Sequence, residues 1–191
     1  RLADSLMFCK EDQRQSLADM ATQLAGVTFH EKLGSMRDKA ERLHKFTAVL
    51  EKAWNLSKVD LKNLRRACEL AKADLVSSMV KEFPTLQGTI GKYYAQASGE
   101  PPDVAIAIEE HYLPLGGKLP KTVVGSALAI LDKYDTLASY FNIGIEPTGD
   151  QDPFGLRRAA QVIVEVACAI KRPLPLDQLL QGWAAAAAAS P

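Results

Sequence analysis

Two aspartates, Asp74 and Asp132, share predicted helical faces with small residues. Small residues let helix axes approach closely, so we expect both carboxylates to lie between packed helices and away from water. A buried carboxylate without a partner costs roughly 1–3 kcal/mol or more, so we expect cations such as Arg42 or Lys72, or backbone donors, beside them. The small residues on the two faces are Ala67, Ala71 and Ser78, and Gly125, Ala129, Thr136 and Ser139.

Basic side chains form a second candidate site. Lys58, Lys62, Arg65 and Arg66 follow one another at helical spacing beside an apolar stripe. A charged stripe of this kind is most often a solvated helix face, and the alternative is contact with RNA phosphates. Phosphate contacts position a nucleic acid without reading its sequence. Both interpretations remain open for this stripe.

A pair of arginines, Arg157 and Arg158, falls in the first turns of another predicted helix, where the helix dipole disfavours cations. Two explanations compete for their position. The pair forms salt bridges to a core acid such as Asp132 or Asp135, or it faces RNA phosphates.

Aromatic and histidine side chains complete the candidates. We expect His111 to be a hydrogen-bonded packing residue rather than a ligand. Tyr93, Tyr94 and Gln87 are expected to fill the core beside two glycines, with stacking on an unpaired nucleotide as the alternative.

Composition limits the classes of function. The 191 residues are 47% hydrophobic, which excludes a disordered tail, and 23 basic residues balance 23 acidic ones. Zero net charge removes the long-range field of a free-standing nucleic-acid or anionic-membrane binder, so any RNA contact is local. Three distant cysteines without a C-x-x-C pair predict neither a disulfide framework nor a zinc knuckle, and they favour a reducing compartment. The first residue is Arg, so we expect a piece of a longer chain.

Hydrophobic residues recur at three to four positions almost throughout, which predicts an all-α fold. Only residues 27–30 look like a strand. We predict one domain, with residues 1–30 as a lead-in segment, 31–175 as the helical domain and 176–191 as an alanine-rich C-terminal tail. The predicted helices are about 11–24, 35–50 capped by Ser35, 57–81, 83–97, 102–113, 122–141, 152–171 capped by Asp152, and 177–183.

The two aspartates resemble what is left of an HD-superfamily site, whose pattern is a His, a His-Asp pair and a distant Asp. Residues 70–75 (LAKADL) are similar to the His-Asp segment with Ala73 in place of the histidine, and residues 130–133 (ILDK) are similar to the distal segment. The resemblance implies a degenerate HD-domain-like helical bundle. Two carboxylates without imidazole would hold Mg²⁺ weakly at best, so we expect a structural remnant without a bound metal.

Longer stretches resemble, in order, the β subunit of bacterial-type glycyl-tRNA synthetases. They cover about residues 1–172 and are more specific together than any single motif. The matching stretches are FHEKLG (29–34), DKAER (38–42), AKADL (71–75), EFPTLQG (82–88), YYA (93–95), EHYLP (110–114), DKYDTL (132–137), PTG (147–149) and DPFGLRRAA (152–160).

This resemblance implies a fragment of an enzyme that uses ATP to join glycine to its tRNA. The implied partners are tRNA-Gly and the synthetase α subunit, or the α part of a fused chain, and no membrane. ATP and Mg²⁺ serve the parent enzyme, and no cofactor is expected in this fragment. The implied compartment is the bacterial cytoplasm or the plastid stroma.

We therefore predict a non-catalytic HD-like domain that braces the β part and contacts the tRNA backbone. One alternative is a stand-alone synthetase-derived scaffold recruited to another complex. The other is an active HD-type metal-dependent phosphohydrolase.

Overall fold

The computed structural model describes residues 2–114, 116–149 and 151–188, with side chains from residue 5 onward. Within these residues a single short antiparallel hairpin, β1 (Thr28–His30) with β2 (Gly34–Ser35), accompanies ten α-helices, which confirms the all-α prediction. The helices are α1 (Leu2–Asp12), α2 (Leu17–Thr22), α3 (Met36–Trp54), α4 (Lys58–Leu70), α5 (Ser78–Glu82), α6 (Thr89–Ala97), α7 (Pro102–Glu110), α8 (Val123–Asn142), α9 (Leu156–Ile170) and α10 (Leu176–Ala188). Short 3₁₀ helices cover Gln23–Gly26, Ala73–Val76 and Pro84–Leu86.

Helix α8 occupies the centre of the bundle and packs against α3, α4, α7 and α9. The first nine positions after Val123 are buried. In this part of α8, small and apolar side chains occupy all faces of the helix, so every face can pack against a neighbour. The Thr122 hydroxyl accepts a hydrogen bond from the Gly125 amide and caps its start. The charged residues of α8 are therefore carried into the core.

Local capping positions the start of α3 as predicted. The Ser35 hydroxyl accepts from the Asp38 amide at 3.3 Å, and the Asp38 carboxylate accepts from the Ser35 amide at 2.6 Å. Both residues of this capping box lie within four consecutive positions, so the sequence alone indicates it.

The single helix predicted over 57–81 is wrong. Helix α4 ends at Leu70, a 3₁₀ turn follows, and Ser77 caps the separate helix α5. The Ser77 hydroxyl accepts from the Val80 amide and donates to the Asp74 carbonyl, which closes the turn. Serine competes in this way with the helical ladder, and the apolar spacing alone did not reveal the break.

Other boundaries also differ from the prediction, and the helix predicted over 83–97 is confirmed only from Thr89, after a 3₁₀ turn at Pro84–Leu86. The segment predicted as one helix over 11–24 breaks after α1, and Ser16 begins α2 with its own capping box. Helix α9 starts at Leu156, after Gly155 in the left-handed region (φ 65°), rather than at Pro153. Asp152 still serves this helix, because its carboxylate accepts from the Leu156 and Arg157 amides at 2.7 and 2.9 Å.

Helix α10 packs on α3 and α8 and contributes Leu179, Trp183 and Ala186 to the buried core. Residues 189–191 of the predicted tail, and Arg1 of the predicted lead-in, lie outside the described residues. The division at 30 and 175 stays a prediction. No described helix is both long enough and apolar enough to span a membrane.

Candidate functional site

Asp132, on α8, lies among three lysine ammonium groups. Its Oδ1 is 3.3 Å from both the Lys39 and the Lys72 Nζ, and its Oδ2 is 2.9 Å from the Lys133 Nζ. Lys39 comes from α3 and Lys72 from the turn after α4, so three segments meet at this carboxylate. The predicted partnership with Lys72 is confirmed.

Charge explains the protonation state of this group. Burial alone would raise the pKa of Asp132, but Lys133, Lys39 and Lys72 together hold that pKa well below its ordinary value. The same burial lowers the pKa of Lys72 to about 8, a shift that Asp132 opposes and the neighbouring lysines reinforce. Asp132 is therefore ionised in the folded protein, and Lys72 releases its proton more readily than an exposed lysine.

Asp135 lies one turn further along α8 and is fully buried. Its carboxylate accepts from the Lys39 Nζ at 2.9 Å, the Arg42 Nε at 2.8 Å and the Trp183 Nε1 at 3.0 Å. Arg42 thus pairs with Asp135 and not with either predicted aspartate. Sequence reasoning named Asp135 as a core acid but missed Lys39 as its partner, since no local pattern links α3 to α8.

Asp74 is held by backbone donors, as the second predicted alternative required. It lies on the 3₁₀ turn after α4, where its Oδ2 accepts from the Gly88 amide at 2.6 Å and the Gly91 amide at 3.2 Å. Its Oδ1 is buried without a hydrogen bond. Burial raises the pKa of Asp74, although the Gly88 amide and Lys72 oppose the shift.

Besides Asp132, Lys72 contacts the ring side chains of His111 and Tyr112. The His111 Nδ1 donates to the Ile108 carbonyl at 2.6 Å, so its Nε2 accepts from the Lys72 Nζ at 2.8 Å. The Lys72 Nζ also lies 4.3 Å from the centre of the Tyr112 ring, which packs on the bare Cα of Gly88. The expectation that His111 is a hydrogen-bonded packing residue is confirmed.

This set of donors does not fit a metal site. Both Asp132 oxygens are engaged by ammonium groups, and backbone amides occupy one Asp74 oxygen. A divalent cation would have to displace those partners, and the described residues contain no group of three or more His, Cys, Asp or Glu side chains able to ligate one. The chemistry that the cluster supports is the fixing of helices by buried ion pairs.

The basic stripe on α4 divides into free and paired members. Lys58 and Lys62 are exposed, and neither forms an ion pair within the described residues. The Arg66 guanidinium contacts Glu100 at 2.5 and 3.0 Å and Glu69 at 3.0 Å. Arg65 is 3.8 Å from Glu51 of α3. The four basic residues line a groove of about 530 Å³.

Arg157 and Arg158 donate to backbone carbonyls. Arg157 contacts the Thr148 carbonyl, and the Arg158 Nη2 lies 2.7 Å from the Pro114 carbonyl. The predicted salt bridge to Asp132 or Asp135 is wrong, because buried cations from α3 and the α4 turn already neutralise both acids. The two arginines instead tie loops to the start of α9.

Comparison with known proteins supplies the family. A family model described as the glycyl-tRNA synthetase beta subunit matches residues 1–190. The chain belongs to this family. The glycine--tRNA ligase beta subunit of Acaryochloris marina is 48% identical over 188 residues, which are 97% of this chain and 26% of that protein. The glycine--tRNA ligase beta subunit of Streptococcus pyogenes serotype M3 is 45% identical over 182 residues, 94% of this chain and 27% of that protein. This chain therefore spans about a quarter of the length of these relatives.

The three side chains that were expected to fill the core beside the glycines differ in their burial. Tyr94 is buried, and its hydroxyl donates to Asp12 at 2.8 Å, which fits the core-filling expectation. Tyr93 is 56% exposed, so that expectation is wrong for it. The Gln87 amide donates to the Tyr112 hydroxyl at 2.6 Å at the edge of the core. Neighbouring helical positions point to different faces, and the sequence did not show which one faced inward.

Proposed function

We propose that this chain is a non-catalytic bracing segment of a glycine–tRNA ligase and that its α4 groove contacts the tRNA backbone. One observation carries the first half: at the positions that resemble a hydrolase site, Asp132 is paired with lysines and Asp74 accepts from backbone amides of the same chain. These side chains hold α3, the α4 turn and α8 together. Metal-dependent phosphatase turnover that is lost on Asp132→Asn would contradict this assignment.

The two relatives are glycine--tRNA ligase beta subunits, and this supports a proposal about the complete enzyme. The ligase activity, its ATP and Mg²⁺, the tRNA-Gly substrate and the α partner are proposed for the complete enzyme, and no cofactor is proposed for this segment. The HD-like nature of the bundle is part of the same proposal. So is a location in the cytoplasm of a bacterium or the stroma of a plastid.

The α4 groove supports the RNA contact through its charge. Lys58 and Lys62 are exposed and unpaired within the described residues, so their ammonium groups are available to phosphates. The Glu100 carboxylate fixes Arg66 at the groove wall with two hydrogen bonds. Because Arg66 is paired with Glu100 and Glu69, the two lysines carry the proposed contact, which binds the phosphate backbone and releases counterions without contact to base edges.

The proposal is tested in the complete enzyme with the double variant Lys58→Glu and Lys62→Glu. We expect the KM for tRNA to rise by about tenfold and the slope of log affinity against log salt to fall by roughly two, since two phosphate contacts are lost. Aminoacylation at a series of salt concentrations measures both quantities.

The control is Lys118→Glu with Lys121→Glu, two exposed lysines in the loop before α8. It makes the same change in net charge away from the groove, so we expect the KM and the salt slope to stay near their original values. Equal effects of the two double variants, or no effect of either, would overturn the groove as the RNA contact.

A further inference from the structure

The loop before α9 places an aromatic side chain at the protein surface on a layer of other rings. Phe154 stacks on Tyr140 of α8 with ring centres 4.4 Å apart and an interplanar angle of 25°. The His30 ring of β1 meets Phe154 edge-on at 6.0 Å and Tyr140 at 5.5 Å. The Phe29 ring also contacts Tyr140 edge-on, with ring centres 5.6 Å apart. We call His30, Tyr140 and Phe154 the aromatic shelf.

The shelf is held in place while remaining open. Phe154 is 41% exposed, although Tyr140 beneath it is buried. Asp152 accepts from the Leu156 and Arg157 amides, and Gly155 takes a left-handed conformation that lets the chain turn directly after the phenylalanine. The ring is therefore presented at little further cost in conformational entropy when a ligand binds.

Polar groups beside the shelf suit a nucleotide. Arg157 follows three residues after Phe154 and is exposed; one of its donors is committed to the Thr148 carbonyl, and its charge also interacts with the Asp152 carboxylate. The His30 Nδ1 accepts from the Lys32 amide at 3.1 Å, so a neutral His30 ring keeps its proton on Nε2. That Nε2–H forms no hydrogen bond within the described part of the chain.

We infer that the aromatic shelf stacks an unpaired nucleobase of the bound RNA, with Arg157 on an adjacent phosphate. This inference rests on the proposed contact with tRNA and names a second point of contact. Any base presents a π face to an aromatic ring, so the shelf does not select a sequence. A flat ring, an exposed guanidinium and a free imidazole donor fit a nucleotide better than an apolar protein surface, which would leave these donors unpaired.

Substitutions that separate ring shape from apolar packing test the inference in the complete enzyme. Phe154→Leu keeps an apolar side chain on Tyr140 but removes the aromatic face, and we expect it to raise the KM for tRNA by about tenfold. Phe154→Tyr keeps the face and is expected to stay within about twofold of the original value. Glycine-dependent ATP–pyrophosphate exchange verifies that each preparation contains active enzyme. Equal behaviour of the two variants would overturn the inference.

Photo-crosslinking identifies the occupant directly. With p-benzoylphenylalanine at position 154 in the complete enzyme, we expect a crosslink to tRNA on irradiation. The control position is Val164, which is 56% exposed on α9 and lies outside the shelf, and we expect no RNA crosslink there. A crosslink from position 154 only to protein, whether the α subunit or another part of the β subunit, would overturn the inference.

Salt dependence separates this inference from the function on which it rests. Stacking involves no counterion release, so Phe154→Leu is expected to leave the salt slope unchanged, whereas the α4 double variant reduces it. If Phe154→Leu has a normal KM for tRNA while the α4 double variant is defective, only the inference about the aromatic shelf is overturned. If both variants have normal KM values, the proposed RNA contact of this chain is overturned as well.

Discussion

Lys72 is the residue whose surroundings are most unusual for its type. Its ammonium group is buried against Asp132 at 3.3 Å and the His111 Nε2 at 2.8 Å, and it lies over the Tyr112 ring. Burial lowers its pKa to about 8, and burial together with the neighbouring Lys72 charge also lowers the pKa of His111 well below its ordinary value. A neutral His111 can accept the hydrogen bond from Lys72, so the two shifts are mutually consistent.

The depressed pKa of Lys72 predicts a pH dependence of stability. Between pH 8 and about 10.5 the unfolded chain holds a proton on this lysine that the folded chain has released, so the contribution of Lys72 to stability rises with pH in that window. We expect the wild-type chain to gain stability relative to Lys72→Met there, by up to about 1.4 kcal/mol per pH unit, the limit for one proton. Urea unfolding followed by tryptophan fluorescence measures the difference.

Lys39 does not mask this window, because its pKa is raised: Asp132 and Asp135 outweigh the effect of burial. Its contribution to stability is therefore lost only above 10.5. Lys62→Met, at an exposed position of α4, is the control and should follow the wild-type profile. A stability difference between wild type and Lys72→Met that is flat from pH 8 to 10.5 would show that Lys72 keeps an ordinary pKa.

Three helices of this bundle, α5, α6 and α8, receive a carboxylate from another element at their start. Asp12 of α1 accepts from the Ser78 and Met79 amides at the start of α5. Asp74 does the same for α6, whose own cap residue is a glycine, and Glu110 of α7 accepts from the Lys121 and Thr122 amides before α8. Each contact supplies an acceptor to helix-terminal amides and fixes where two elements meet.

The contribution of such a cap to stability can be measured by removing the Asp74 carboxylate from the start of α6. Asp74→Ala leaves the buried Gly88 and Gly91 amides without an acceptor, so we expect it to destabilise the chain by about 2–4 kcal/mol. Hydrogen exchange should show the largest loss of protection in α6. Ser35→Ala, which removes a local cap from α3, is the comparison and should cost about 1 kcal/mol. Equal losses would show that the cap from another element adds nothing to an ordinary one.

At the scale of the whole molecule, one hydrophobic core joins segments from α2 to α10. The indole of Trp183 in α10 packs into this core and donates to Asp135, which also binds Lys39 of α3. Gly182 permits this close approach of α10 to α3, because it lies against Val49 with no room for a Cβ. Residues 176–188 therefore contribute to the stability of the bundle.

Trp183→Ala measures that contribution. The change opens a cavity and removes a donor from Asp135, so we expect a loss of about 3–5 kcal/mol in urea unfolding. The control is Leu180→Ala in the same helix, where the side chain is 53% exposed and the expected loss is below about 1 kcal/mol. Similar small losses for both variants would show that α10 is dispensable.

The sequence by itself determined the helical class, the family and the Ser35 cap, because helical periodicity, ordered motifs and a capping box are each local in the chain. It also identified Asp74 and Asp132 as buried carboxylates in need of partners. The tertiary structure alone decided those partners: Asp74 binds amides 14 and 17 residues away, and Asp135 binds side chains 93 and 96 residues away. Which of many cations reaches a buried acid depends on how the helices pack, and no local pattern encodes that packing.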